Sequence, residues 1–228
     1  MYNLIGSLNI YFIFFLQNPI FKFILGYIAY KVVFKKIKIK ISGYLGERKV
    51  KKYIKKLEKK GYVILNDFMI PLYNKTTQID HVVIGPYGIT VIETKNYKGK
   101  IIGSSNSKYW IQKLGFKTHN IYNPLWQNHT HVKTIKYLLH KEGFRNVNLE
   151  NLVVFTSKKS RLLLDDERLP VIPFKALKLW FHLNEKKPQT IDVVKVSEAL
   201  KKYEVTGVKA KKEHVKYVKQ RIRIAQSN

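Results

Sequence analysis

Apolar and polar positions change period several times along the chain, and each change marks an element. Leu4 to Leu16 is an unbroken uncharged run, and Phe23 to Tyr30 is again uncharged and mostly apolar, with Gln17, Asn18, Pro19 and Lys22 between them. Leu4 to Tyr30 is long enough to span a bilayer as a helix, with a kink expected at Pro19. From Gly46, Val50, Tyr53, Ile54 and Leu57 recur at helical spacing beneath a cationic face, and Gly61 is a natural stop. The pattern then shifts to short β-branched runs. Tyr62–Leu65 reads as a first strand, followed by a loop through Pro71, Asn74 and Thr76. Residues 78–84 and 89–95 read as a hairpin around Gly85-Pro86-Tyr87-Gly88. Short strands are expected near 101–102 and at 109–111. Asn123-Pro124 predicts an N-cap with proline at the first helical turn, opening a helix that stops near Gly143. Leu152–Phe155 is wholly apolar, as in a doubly covered central strand. A strand at 169–172 and helices at 174–184, 192–202 (capped by Thr190) and 208–225 complete the reading.

Within the hairpin, side-chain alternation puts Asp80 on one face with Gln78, Val82 and Ile84, and Glu93 on one face with Val91 and Lys95. If Ile84 pairs with Ile89, Asp80 falls opposite Glu93. Two like charges so placed destabilise a sheet unless something compensates them, and a divalent cation would do so. Glu47 projects from the apolar, core-facing side of the 46–60 helix. It reads either as an acid favoured by the helix dipole or as a third carboxylate aimed at the pair. His81 points away from Asp80 and is expected to be packed, and His119, His129 and His131 have no recognisable zinc spacing.

Composition sharpens the picture. The 228 residues carry 43 Lys+Arg against 15 Asp+Glu, a formal charge of +28. That excess implies a polyanionic partner, nucleic acid or an anionic membrane surface. The absence of cysteine excludes disulfides, thiol catalysis and a Cys-ligated zinc site. The basic flank at Lys31, Lys35, Lys36, Lys38 and Lys40 would keep the C-terminal side of the apolar arm in the cytoplasm. Residues 1–34 are therefore expected to form a membrane anchor, with an interfacial helix or a shallow hairpin as the alternatives.

The local words Gly46-Glu47, Gln78-Ile79-Asp80-His81-Val82-Val83-Ile84, Gly88-Ile89, Glu93-Thr94-Lys95-Asn96-Tyr97-Lys98-Gly99-Lys100-Ile101, Trp110 and Asn123-Pro124-Leu125-Trp126-Gln127-Asn128 come in this order on matching elements. Over about residues 42–156 they resemble the nuclease-related domain (NERD) of the PD-(D/E)xK nuclease superfamily. The resemblance implies an α/β, restriction-endonuclease-like mixed sheet flanked by helices, with residues 35–160 as the nuclease core. Residues 161–228 would be a mostly helical basic extension packing on it. It implies a metal-dependent nuclease using Mg²⁺ or Mn²⁺, with Asp80 and Glu93 as ligands, the Thr94 carbonyl a further oxygen, and Glu47 completing the site. Lys95 would orient the attacking water and stabilise developing charge, with Gln127 in support. The chain departs from the superfamily pattern in two places: Ile79 replaces the proline before Asp80, and His131 stands where some relatives place a tyrosine four residues after the glutamine. The expectation is thus a deoxyribonuclease that grips the DNA backbone without reading its sequence, held at the cell membrane through residues 4–34 by a single pass, with its C-terminal domain cytoplasmic. The alternative is a non-catalytic basic module tethering nucleic acid or a partner at the membrane.

Overall fold

The computed structural model describes residues 18–73 and 75–207. The expected apolar run Leu4–Leu16 and the expected helix at 208–225 lie outside these residues. The chain divides into two units, one ending at Tyr44 and one beginning at Leu45. The division falls within a long helix, α1 (Pro19–Ile54).

In the first unit Asn18 accepts the Ile20 N–H at 2.8 Å, and Pro19 occupies the first helical turn. The proline therefore opens the helix and does not kink it, because its missing N–H costs nothing there. Ile20, Phe23, Leu25, Ile28 and Phe34 are exposed along it. Among the described residues, no helix is long and apolar enough to cross a membrane.

In the second unit a five-stranded sheet runs in the order β1-β2-β3-β7-β9. Its strands are β1 (Val63–Leu72), β2 (Lys75–Gly85), β3 (Gly88–Lys95), β7 (Leu149–Phe155) and β9 (Val171–Pro173). A second sheet runs β6-β5-β4-β8, from β4 (Gly99–Gly103), β5 (Tyr109–Leu114), β6 (Lys117–Tyr122) and β8 (Ser160–Leu164). Both sheets are mixed: in the first, β1, β2 and β3 pair antiparallel, while β3, β7 and β9 pair parallel.

Helices cover both faces of the first sheet. On one face Val50, Ile54 and Leu57 pack with Val83, Ile92 and Val154 and with Leu177 and Phe181 of α3 (Leu177–Asn184). On the other, Ile135, Leu138 and Leu139 of α2 (Pro124–Lys141) and Val196 and Leu200 of α4 (Val193–Lys201) cover Val82, Ile84 and Val91. Alternation along β2 and β3 feeds both cores, which is why Val82–Ile84 and, apart from Thr90, Ile89–Ile92 are apolar. The segment from 161 onward thus supplies strands β8 and β9 as well as two helices. Asp192, not Thr190, caps α4, accepting from the Val194 and Lys195 N–H groups at 3.1 Å each.

Candidate active site

The β2–β3 register pairs Ile84 with Ile89 and ends at His81 with Ile92. Asp80 and Glu93 come next in that register. Beyond the last pair the ladder gives way, and the Thr94 N–H is taken by the Asp80 carboxylate at 2.7 Å. Both acids lie on the α2 side of the sheet, by alternation with Val82 and Val91. Glu93 is 3 % exposed, while Asp80 is half-buried.

Lys95 closes the pair on the same face. Its Nζ donates to Glu93 Oε1 at 2.6 Å and to Gln127 Oε1 at 3.0 Å. Gln127 is held in place by its neighbours on α2. Asn123 caps that helix, accepting the Leu125 N–H at 2.9 Å, and its side-chain N–H reaches the Ser107 carbonyl at 2.8 Å. Asn128 donates to the Val91 carbonyl at 2.8 Å and to the Asn151 side chain at 2.7 Å, stitching the helix to β3 and β7. One turn after Gln127, His131 is buried, with Nδ1 3.2 Å from Thr77 Oγ1 and Nε2 3.6 Å from Glu93 Oε2. Among the described residues, neither that Glu93 oxygen nor His131 Nε2 has a hydrogen-bond partner.

Glu47 approaches from the other face. Gly46 allows it: a Cβ there would stand 2.7 Å from Thr156 Oγ1 and 3.0 Å from Asn96 Cβ. The helix can lie against the ends of β3 and β7 only because that atom is missing. Lys49 pins the same turn, donating to the Thr156 carbonyl at 3.0 Å, with its Nζ 4.1 Å from the centre of the Phe174 ring. Half-buried Glu47 is within electrostatic range of Glu93 and Lys95. Yet among the described residues no three His, Cys, Asp or Glu side chains are grouped closely enough to hold a metal ion. Glu47 nonetheless raises Asp80 and is raised by Glu93, without forming such a group with them.

The electrostatics follow from this packing. Burial pushes the Asp80 carboxyl well above its ordinary range, and the neighbouring Glu93 charge pushes it further. Burial also acts to raise Glu93, but the Lys95 ammonium and His131 outweigh it and hold Glu93 well below its usual value. Lys95 is raised in turn: burial works against its charge, and Glu93 more than offsets that. Glu47 is raised by burial, then by Asp67 and Glu93. Glu93 is compensated in full, whereas the Thr94 N–H and Lys95 offset the strain on Asp80 only in part.

A hard divalent cation fits that imbalance. Asp80 and Glu93 offer carboxylate oxygens side by side, one of them buried without a partner, and Mg²⁺ is commonly held by one or two carboxylates with water and phosphate filling the remaining positions. The residues fit a two-carboxylate site; Glu47 is placed to act on it through space.

His131 escaped the sequence reading as a site residue because its partners, Thr77 and Glu93, are distant in sequence. Its spacing of one helical turn from Gln127 was legible in the sequence, but its contacts were not. His81, expected to be packed, is buried with Nδ1 2.8 Å from Asn66 Oδ1, and burial lowers its pKa to about 4.

The profile of the nuclease-related domain matches residues 42–156, half of the chain and the whole stretch that builds this site. The chain belongs to the nuclease-related domain family. It is also similar to an uncharacterized protein of Bacillus anthracis, 40 % identical over 111 residues that cover 48 % of this chain and 52 % of that one. The chain thus spans about half the length of the curated relative it matches. No solved structure matches it.

Proposed function

We propose that this NERD protein is a divalent-metal-dependent nuclease that hydrolyses phosphodiester bonds in DNA. The observation that carries the reading is the partly uncompensated Asp80–Glu93 pair, with Lys95 bonded to Glu93 and Gln127 on the same face. Mg²⁺ or Mn²⁺ held by Asp80 and Glu93, with the Thr94 carbonyl as a further donor, would polarise a phosphate oxygen and acidify a bound water. Lys95 engages two of its three ammonium protons with Glu93 and Gln127, and the third serves a phosphate oxygen as negative charge develops. Gln127 aims the ammonium, and Asn123 and Asn128 fix Gln127. Glu47 adds negative potential from across the sheet, and His131 backs the buried oxygen of Glu93.

The N-terminal arm is proposed to associate with the membrane. Support comes from the uncharged run Leu4–Leu16, the exposed apolar side chains between Ile20 and Phe34, and the lysines after them. Membrane fractionation tests this: loss of the pelleted protein on deleting residues 1–34 is expected, and unchanged partitioning would remove this part of the reading.

The nuclease is tested by incubating the full chain with supercoiled and linear DNA in EDTA, Mg²⁺ and Mn²⁺. Cleavage is expected with metal only, and is expected to be lost in Lys95→Ala. Cleavage that persists in Lys95→Ala, or its absence under every condition while DNA binding remains, overturns it; the second outcome favours a tethering module.

A further inference from the structure

The second sheet has one covered face and one open face. Ile101, Trp110 and Ile121 point inward to a core with Phe155 and Val171. On the open face the register sets residues directly side by side: Lys113 pairs with Lys100, and Lys100 with Arg161. All three are exposed, and none forms an ion pair among the described residues. Directly opposed like charges destabilise a sheet, so a row of three cations across adjacent strands is poor design for an isolated surface. The lysine-rich composition accounts for cations on the surface, but not for their alignment without an acid.

The same face carries flat and apolar groups beside the row. Ile111 is the next outward residue on β5. Beyond it Tyr109 pairs with Tyr122, their rings edge to face at 6.2 Å and each about two-fifths exposed. A cationic row flanked by exposed rings is the arrangement that tracks a nucleic-acid backbone while stacking its bases.

Connectivity ties this face to the active site. Only residues 96–98 separate Lys95 from β4, and only residues 156–159 separate β7 from β8. The helix bearing Gln127 is fastened to the β4–β5 loop, with Trp126 Nε1 donating to the Ser105 carbonyl at 2.8 Å. The starts of β4 and β8, which carry Lys100 and Arg161, therefore lie a few residues along the chain from the ends of β3 and β7.

We propose that the open face of the β6-β5-β4-β8 sheet binds single-stranded nucleic acid, its phosphates on Lys113, Lys100 and Arg161 and its bases against Tyr109 and Tyr122, and feeds it to the Asp80–Glu93 site. The proposal rests on the nuclease reading for its purpose but not for its binding chemistry.

The test is binding of a fluorescent mixed-sequence oligonucleotide to the full chain in EDTA, single-stranded and duplex, over a range of salt. Three proteins are compared: wild type, the triple variant Lys100→Gln/Lys113→Gln/Arg161→Gln, and Tyr109→Ala/Tyr122→Ala, each first shown by circular dichroism to be folded. Each phosphate contact to a single strand contributes about 0.7 to the slope of log K against log salt. The triple variant should therefore bind more weakly and lose about 2 from that slope. The tyrosine variant should bind single strands at least about thirtyfold more weakly with the slope unchanged. Equal affinity and slope in wild type and the triple variant overturn the proposal, as does a tyrosine variant that weakens duplex and single strand equally. A further arm uses phosphatidylserine-containing vesicles. Loss of vesicle binding in the triple variant with DNA binding intact assigns the face to lipid, and overturns it as well. Binding that meets these expectations without cleavage in Mg²⁺ sinks the nuclease reading and leaves this face standing.

Discussion

The two sheets of this protein treat charge in opposite ways. In the five-stranded sheet both faces are covered, and its buried acid Glu93 sits against Lys95 at 2.6 Å. In the four-stranded sheet one face is open, and Lys113, Lys100 and Arg161 stand in a row with no acid among them. A buried charge must be neutralised within the fold, whereas an exposed row of one sign can wait for a partner from solution. The first arrangement suits chemistry at a fixed point and the second suits capture of a polyanion. The proposed nuclease would use both.

The contrast can be broken most forcefully at Lys95. Lys95→Met leaves Glu93 buried without its partner, and the metal-free protein should lose about 3–5 kcal/mol in urea denaturation. A loss below about 1 kcal/mol would mean that Glu93 is compensated otherwise. Next in size is the backbone approach at Gly46. Gly46→Ala forces the helix from the Thr156 hydroxyl and should cost about 1–3 kcal/mol, with reduced cleavage because Glu47 moves too.

Asp80 gives a gain of stability. Its pKa is raised on folding, so its ionisation opposes folding, and that penalty grows as pH rises from its unfolded value through its folded one. Asp80→Asn should raise the metal-free melting temperature at pH 7 by about 2–4 °C, and the advantage should vanish near pH 4. Glu93 has the opposite sign: its depressed pKa stabilises the fold above its unfolded value and is lost as pH falls. Because the two acids titrate as a pair, removing the Asp80 charge also eases the ionisation of Glu93, and the difference between the two proteins reports the pair. The smallest effect belongs to the open sheet, where Lys113→Glu should gain about 0.2–1 kcal/mol at low salt. The same substitution at a buried position would be ruinous, and that difference separates the two sheets.

Sequence made the hairpin legible because its signals are local. Gly85 and Gly88 bracket the turn, and β-branched runs on both sides fix a register that the structure reproduces. The Asn123 cap was legible for the same reason. Strand β6 was not, because Lys117, Thr118, His119 and Asn120 are all exposed and only Ile121 is buried, which leaves no alternation to see. Strand β8 and the extension of β1 through Pro71 were missed on other grounds. β8 forms by pairing with β4 across a long sequence gap, and Pro71 is tolerated because β1, among the described residues, is an edge strand paired with β2. Of the site, Asp80, Glu93, Lys95 and Gln127 do come together. Glu47 comes within electrostatic range of Asp80 and Glu93, but helical spacing says only which side of α1 it occupies, not how near that side comes to the pair.

The central claim is that the Asp80–Glu93 pair is completed by a divalent cation. Calorimetric titration of the full-length protein with Mn²⁺ tests it directly. One site per chain is expected in the wild type, absent in Asp80→Asn, with the metal raising the wild-type melting temperature. No binding in the wild type, or the same binding in Asp80→Asn, would contradict it.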